Sequence, residues 1–176
     1  MRKKASKKGL ILPKAAAMFR QRGFAATSMR DLAEAVGIEA ASLYNHIISK
    51  NEILEAICFE MANLFNTHMD QIEASRQSTL SALEAVLRFH IRQMIDNYEQ
   101  VYVSDREWKH LQEPYLSNFQ IQRRNYRKRI GQLIETGIQK KEILPIDSAT
   151  AVLIMLHAIG GIESWHRSKK RISARE

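Results

Sequence analysis

The sequence has few of the residues that interrupt helices or crosslink chains. Among its 176 residues are seven glycines, three prolines and one cysteine, and aromatic residues make up only 7%. The single cysteine, Cys58, excludes an intrachain disulfide, so nothing calls for an oxidising compartment, and we expect it to be buried in an apolar helix face. The scarcity of glycine and proline favours long helices with short connections.

Long hydrophobic runs are also missing. The longest run, AVLIMLHAIGGI at 151–162, is interrupted by His157 and is well short of the roughly 20 residues that a membrane-spanning helix needs. The N-terminus MRKKASKKG has the charge of a signal peptide's first region, but Lys14 breaks the apolar stretch that follows it. The sequence therefore predicts a cytoplasmic protein without a membrane partner.

Positive charge is unevenly distributed along the chain. Lys and Arg number 27 against 19 Asp and Glu, which gives a net charge of +8. The first fifty residues carry ten basic and three acidic side chains, whereas residues 51–100 carry three basic and eight acidic ones. A basic front joined to an acidic middle predicts two different tasks, the first of them contact with an anionic partner.

Apolar residues recur at helical spacing along the chain, and strand alternation is nearly absent. We therefore predict an all-α fold, with helices at about 8–22, 28–35, 39–46, 50–75, 79–98, 104–113, 114–140 and 147–159. Pro13 should lie in the first turn of its helix or mark a bend. The predicted core stripe of the fifth helix includes Leu80 and Ile91. The last helix is apolar nearly all round, which predicts burial on most sides.

Two short predicted helices, joined through Gly37, have the proportions of a helix-turn-helix motif. In that motif the second helix enters the major groove of DNA and the first crosses the backbone. Outward residues of the second helix are the candidates for base contacts: Glu39, Ala40, Ala41, Ser42 and Asn45. Hydroxyl, imidazole and ammonium groups beside them are the candidates for phosphate contacts: Thr27, Ser28, Tyr44, His46 and Lys50.

The span GFAATSMRDLAEAVGIEAASLYNHIISKNEIL, residues 23–54, resembles the DNA-binding domain of TetR-family transcriptional regulators. The resemblance implies a homodimeric repressor with DNA-binding heads at 1–53, including a basic arm, and an antiparallel bundle at 54–176 for dimerisation and for a small effector. It implies release from a palindromic operator when the effector changes the distance between the heads. It also implies phosphate contacts by Thr27, Tyr44, His46 and Lys50. Ala40 replaces a frequent lysine, which predicts base reading that is weaker or shifted to Ser42 and Asn45.

The rear half resembles, more loosely, the ligand domains of TetR-like regulators that respond to acyl-CoA thioesters. The similar segments are RRNYRKRIGQLIETGIQKKEIL, DSATAVLIMLHAIGGIESW and Trp165 within the second of them. Arginine side chains on the long helix are candidates for CoA phosphates: Arg123, Arg124 and Arg127. Aromatic and methionine side chains are candidates for an apolar pocket, although most such residues are simply core: Phe65, Met69, Phe89, Met94, Trp108 and Phe119.

The C-terminal residues bear on the dimer. Gly160 and Gly161 lower helix stability. Glycine at these positions would be explained if it let another backbone approach at a dimer interface. The resemblance implies one more helix after ISARE, where Ser173 and Glu176 form a capping-box pattern, so we expect the chain to stop short of it.

Two alternatives remain open from the residues alone. The pairs Glu107/His110 and Glu163/His166 have the E-x-x-H spacing of a di-metal carboxylate enzyme, although the second pair lies beside Arg167 and Lys169, a poor place for a buried cation. The other alternative is a basic helical adaptor that binds nucleic acid without sequence preference. The sequence contains no HExxH, no glycine-rich phosphate loop and no nucleophile elbow. We therefore predict a regulator that is not an enzyme and needs no metal or cofactor.

Overall fold

The computed structural model of the chain describes residues 7–75 and 77–161. All regular structure in these residues is helical, which confirms the predicted all-α class. The helices are α1 (Lys7–Arg22), α2 (Met29–Val36), α3 (Ala40–Tyr44), α4 (Lys50–Ala74), α5 (Thr79–Asp96), α6 (Tyr98–Arg106), α7 (Tyr115–Gln139) and α8 (Ser148–Gly160), with a 3₁₀ helix at Trp108–His110. None of the described helices is long and apolar enough to cross a membrane.

Packing divides these residues into two units. Unit 1 comprises 7–64 and 98–122, and unit 2 comprises the described residues of 65–97 and 123–161. Both α4 and α7 contribute residues to each unit. The division into functional domains at 1–53 and 54–176 was drawn along the chain and stays a prediction.

In unit 1, the first three helices have local sequence reasons for their ends. Gly23 and Gly37 adopt positive φ values of 84° and 79°, which lets them follow α1 and α2 in the left-handed conformation expected of glycine. Ser28 and Asp31 form a reciprocal capping box at the start of α2. Leu32, Ala33 and Leu43 are buried beneath α2 and α3, as the helix-turn-helix pattern requires.

Of two helix predictions in this region, one was confirmed and one was too long. The first helix, predicted at about 8–22, is α1 at Lys7–Arg22, although Pro13 lies inside it and not in its first turn. Proline lacks an amide donor and fits a helix interior poorly, but the burial of Ile11, Leu12, Ala15 and other residues of this face supports the helix on both sides. Helix α3 covers only Ala40–Tyr44 because the backbone turns at residues 45–46 before Ile47 enters the core.

The core of unit 1 also includes residues that are distant in sequence. Phe19 of α1 is fully buried with Ile53 and Cys58 of α4, which confirms the expected burial of the cysteine. Helix α6 packs on α1, where the Arg20 guanidinium lies 5.3 Å from the centre of the Tyr98 ring. The helix predicted to be capped by Ser104 is wrong, because Ser104 is buried within α6.

The core of unit 2 is built by α4, α5, α7 and α8, but two of its faces differ from the prediction. On α5 the buried face carries Ala82 and Val86, whereas Leu80 is 54% exposed and Ile91 is also exposed. Apolar residues lie on several sides of this helix, so spacing alone selected the wrong stripe. Helix α8 buries only Val152 and Ile159, which contradicts the predicted burial on most sides within a single chain.

Candidate nucleic-acid interface and effector site

The turn at residues 24–28 joins α1 to α2 and contains two of the predicted phosphate contacts, Thr27 and Ser28, so we name it the DNA-contact turn. Its last residue, Ser28, accepts a hydrogen bond from the Asp31 backbone N–H at 3.2 Å and returns one from its own N–H to the Asp31 carboxylate at 2.8 Å. The Ser28 hydroxyl and backbone N–H lower the pKa of the Asp31 carboxyl below its ordinary value. Ser28 remains exposed, at the amino end of α2, where backbone amides favour an anion.

The other hydroxyl of this turn has a different environment. Thr27 is only 1% exposed, and its Oγ1 donates to the carbonyl oxygen of Gly23 at 2.9 Å. Its side chain therefore closes the turn in this structure and is not available to a phosphate, in contrast to its predicted role.

Lys50 points back into the protein as well. Its Nζ atom donates to the carbonyl oxygens of Phe24 at 2.9 Å, Ala25 at 3.2 Å and Thr27 at 2.9 Å. It also lies 4.5 Å from the centre of the Phe24 ring. An ammonium group has three N–H donors, so these carbonyls occupy all of them. In this structure, a hydrogen bond from Lys50 to a phosphate would require the release of one carbonyl.

Helix α3 presents most of its predicted DNA-contact residues to solvent. Ala41, Tyr44, Asn45 and His46 are exposed, with Tyr44 at 53%, and the N-cap residue Glu39 is also exposed. The structure leaves Ala40 and Ser42 half-buried, with Ala40 packed against the core of unit 1. Tyr44, Asn45 and His46 therefore form an outward surface at the carboxyl end of α3.

Ile48 is a surface residue that the sequence interpretation missed. It is 82% exposed and lines an open cleft. The other residues that line this cleft are 25–29, Tyr44, Ser49 and Lys50. An isoleucine that follows another isoleucine at helical spacing is usually assigned to the core, so the exposure of Ile48 was not predictable from the sequence. The cleft combines hydroxyl groups with the apolar side chains of Ala25, Ala26, Met29 and Ile48 beside the amino end of α2.

An aromatic cluster in unit 2 contains three of the predicted effector residues. Met69 is fully buried, and the rings of Phe65 and Phe89 meet edge to face with centroids 5.6 Å apart. His68 stacks on Phe89 at 3.7 Å, and His90 stacks on Phe65 at 4.5 Å. The cluster, defined by Phe65, His68, Met69, Phe89, His90 and Tyr126, therefore combines apolar rings with titratable groups.

Three members of this cluster, His68, His90 and Tyr126, were not predicted. His90 Nε2 and the Tyr126 hydroxyl oxygen lie 2.9 Å apart, and burial raises the pKa of Tyr126. Burial lowers the pKa of His68, whose buried Nδ1 atom has no hydrogen-bond partner among the described residues. Each histidine adjoins a predicted pocket residue in sequence, Met69 or Phe89, and that adjacency was the only available signal.

The remaining predicted effector residues are not part of this cluster. Trp108 and Phe119 lie in unit 1, where their rings are 6.3 Å apart and Phe119 is fully buried. In unit 2, Met94 is buried, Arg123 is half-buried and Arg127 is exposed.

Arg129, two positions beyond Arg127, forms an ion-pair group with Glu73 and Asp70 in unit 2. It donates to the Glu73 carboxylate at 2.7 and 2.9 Å and to Asp70 at 2.6 Å. The hydrogen bonds to Glu73 contribute most to the raised pKa of Arg129. This arginine therefore ties α7 to α4 and is not available to a ligand.

In the first E-x-x-H pair, the Glu107 carboxylate contacts a backbone N–H and belongs to no described group of three or more metal-binding side chains. Glu107 Oε2 accepts the backbone N–H of Phe24 at 3.3 Å and lies 3.5 Å from His110 Nε2. The second pair, Glu163 and His166, lies outside the described residues, as do Trp165, Arg167, Lys169, Ser173 and Glu176. Within 7–75 and 77–161 no group of three or more His, Cys, Asp or Glu side chains is placed to hold a metal ion.

The sequence of the chain matches two family profiles and several known proteins. A family profile described as "Bacterial regulatory proteins, tetR family" matches residues 11–57, and one described as "Tetracyclin repressor-like, C-terminal domain" matches residues 76–176. The HTH-type transcriptional repressor KstR2 of Mycobacterium tuberculosis is 29% identical over 142 residues, which cover 80% of this chain and 70% of the relative. KstR2 of Rhodococcus jostii is 32% identical over 109 residues, which cover 61% and 53%.

Solved structures share the fold at lower identity. The ketosteroid transcriptional regulator KstR2 of Mycobacterium tuberculosis has a TM-score of 0.87 at 24% identity, over 98% of this chain and 89% of that one. AibR, in complex with isovaleryl coenzyme A and operator DNA, has a TM-score of 0.83 at 22% identity, over 95% and 91%.

Proposed function

The chain belongs to the TetR family of helix-turn-helix transcriptional regulators, and from this premise we propose that it is a cytoplasmic repressor. It binds a palindromic operator as a homodimer and is released by a small effector. Membership in a family of transcriptional regulators agrees with the prediction that it is not an enzyme, and it removes the support for a di-metal reaction at Glu107 and His110.

The observation that carries the proposal is the outward surface of α3 in a basic segment. Tyr44, Asn45 and His46 are exposed at its carboxyl end, and the first fifty residues have a net charge of +7. Phosphate contacts supply most of the salt-dependent affinity, whereas contacts to base edges supply sequence preference. A short exposed helix in a positive field suits both tasks.

We assign the individual contacts by side-chain chemistry and exposure. Tyr44, His46 and the backbone amides that follow Ser28 at the amino end of α2 bind phosphates, whereas the Ser28 N–H and hydroxyl donate to the Asp31 carboxylate. The base-reading surface consists of Glu39, Ala40, Ala41, Ser42 and Asn45, of which Asn45 has the amide that pairs well with adenine. Thr27 and Lys50 support the DNA-contact turn instead of meeting phosphates directly, because their donors are already used.

The homodimer is proposed to form through α8. Leu153 and Ile154 are 45% and 64% exposed on this helix, although its composition is that of a buried element. Gly160 has no heavy atom within 4 Å of the position where a Cβ would stand. An exposed apolar face with open space beside a glycine suits close packing by a second copy.

The effector is proposed to bind at the aromatic cluster of unit 2. Phe65 and Phe89 offer flat apolar surface, while Tyr126 and His68 offer polar atoms that can fix the orientation of a carbonyl group. An acyl-CoA thioester fits this chemistry, and AibR is a structural neighbour that holds isovaleryl coenzyme A. Arg123 and Arg127 are the candidate partners of its phosphates, and Met94 of the same unit is a secondary candidate for the pocket.

Release from the operator follows from differential affinity. An effector that binds more tightly to a conformation whose heads do not fit the operator shifts the population toward that conformation. The effector then lowers operator affinity without touching the DNA.

The experiment is selection of bound duplexes from a random pool, followed by titration of variants on the selected duplex. We expect a two-fold symmetric consensus with half-sites about one helical turn or a multiple apart. Tyr44→Phe should weaken binding to all duplexes by a similar factor, whereas Asn45→Ala should change the preferred base at one position of each half-site. Recovery of no consensus would favour a basic adaptor without sequence preference.

A further inference from the structure

Phe24, at the start of the DNA-contact turn, has contacts with groups from distant parts of unit 1. Its backbone N–H donates to Glu107 Oε2 at 3.3 Å, across 83 positions of sequence. Its ring stacks on the His110 ring with centroids 5.3 Å apart and meets the edge of Phe19 at 5.1 Å. Phe24 is therefore fixed through its backbone and through its ring.

Lys50 holds the same turn from the beginning of α4. Its three hydrogen bonds to the carbonyl oxygens of Phe24, Ala25 and Thr27 follow the turn to the residue before the Ser28 N-cap. The Lys50 ammonium also lies over the Phe24 ring, where a cation is attracted to the π face. The conformation of the turn thus depends on Lys50 and on the contacts made by Glu107 and His110.

We infer that Glu107 and His110 are positioning residues for DNA binding: they fix Phe24, and through Phe24 and Lys50 they set the backbone that presents the amino end of α2 to a phosphate. This inference rests on the proposed DNA-binding function. It makes the segment that joins α6 to α7 part of the DNA-binding machinery, although it lies some eighty residues after the turn in sequence. Any change that moves this segment alters operator affinity without a contact to DNA.

Because Glu107 is charged, its inferred positioning role and a purely electrostatic role predict opposite effects on DNA affinity when it is replaced. Removal of a carboxylate raises the net charge, which by itself strengthens binding to a polyanion. Loss of the hydrogen-bond acceptor for the Phe24 N–H has the opposite effect, because the partly buried amide loses its partner and the turn can change conformation. Glu107→Ala should therefore weaken operator binding, against the electrostatic expectation.

The test uses the full chain and a duplex that the wild-type protein selects from a random pool. Operator affinity is measured by fluorescence anisotropy for the wild type, Glu107→Ala, Glu107→Gln and the control Glu60→Ala. Glu60 is an exposed carboxylate of the same unit, so its removal reports the effect of charge alone. Exchange of the Phe24 amide, followed by NMR, reports the state of the turn independently of DNA.

We expect Glu107→Ala to weaken operator binding about tenfold, with an unchanged slope against salt and faster exchange of the Phe24 amide. Glu107→Gln retains an acceptor oxygen and should restore wild-type affinity, and Glu60→Ala should bind as tightly as wild type or slightly more tightly. If Glu107→Ala fails to fold, His110→Ala, whose side chain is half exposed, should weaken binding about threefold.

The inference would be overturned if Glu107→Ala bound the operator as tightly as wild type or more tightly. The same result for His110→Ala, where that variant is used, would overturn it too. A Glu107→Gln variant that binds no better than Glu107→Ala would also contradict it. If the wild type selects no duplex, the proposed function fails instead. The amide exchange then still tests whether Glu107 fixes Phe24, since unchanged exchange at Phe24 in Glu107→Ala would contradict that role of the contact.

Discussion

The Nζ atom of Lys50 lies 2.9 Å from the carbonyl oxygen of Thr27, 23 residues earlier in the chain. This hydrogen bond joins the first residue of α4 to the turn before α2. It accounts for a lysine at a position where the sequence suggests only an exposed phosphate contact.

Lys50→Met should lower the free energy of unfolding by about 2 kcal/mol, because three backbone carbonyls lose a charged donor. Urea denaturation followed by circular dichroism measures this change. Lys109→Met provides the control, since Lys109 is exposed in the same unit, and it should change stability by less than about 0.5 kcal/mol. Equal effects of the two substitutions would mean that the three carbonyl contacts contribute little to stability.

Two glycines of α7 should respond to alanine with opposite signs. A Cβ at Gly137 would stand 2.6 Å from Ile143 Cδ1 and 2.9 Å from Thr79 Cγ2, so Gly137→Ala should destabilise the chain by about 1–3 kcal/mol. A Cβ at Gly131 would meet nothing closer than 3.9 Å, so Gly131→Ala should stabilise by up to about 1 kcal/mol through helix propensity. Thermal and urea unfolding of the pair measure the difference, and a destabilised Gly131→Ala would contradict the packing described for α7.

Stability should fall as the pH drops below the ordinary histidine pKa of 6.5, because burial lowers the pKa of His68 in the folded chain. The unfolded chain then binds the proton more readily, so stability rises with pH through this window and is complete above it. A comparison of wild type with His68→Phe by urea denaturation at several pH values isolates His68. The same pH dependence in both proteins would exclude it as the source.

The proposed dimer interface predicts that Ile154→Lys shifts the chain toward monomer and weakens operator binding, because a charge would be buried in an apolar contact. Sedimentation equilibrium measures the shift. Ile121→Lys is the matched control, since Ile121 of α7 is 50% exposed and lies outside α8. If both variants remain dimeric, or if the wild type is monomeric at micromolar concentration, the interface on α8 is wrong.

Local sequence signals predicted the fold class and the helix-turn-helix because several of them agreed. Ser28 and Asp31 cap α2, Gly37 ends it, and Leu32 and Leu43 lie beneath the two helices. Each of these features depends on neighbours within about ten residues. Such features are readable without knowledge of the tertiary packing.

Features that depend on distant partners were not predictable in the same way. The sequence identified Lys50 as important but not its direction, because its acceptors are backbone carbonyls that any residue supplies. The pair of His90 and Tyr126 is separated by 36 positions and follows no spacing rule. On α5 and α8, apolar residues on several sides left the buried face undetermined, so Leu80 was wrongly assigned to the core and the burial of α8 was overestimated. Composition gives the amount of apolar surface but not which neighbour covers it.

The central claim is sequence-specific DNA binding through α3. The most direct measurement is a fluorescence anisotropy titration of the wild-type chain with its selected duplex and with a scrambled duplex of equal length and composition, at physiological salt. The account predicts that the selected duplex binds at least about a thousandfold more tightly. Equal affinities for the two duplexes would contradict it.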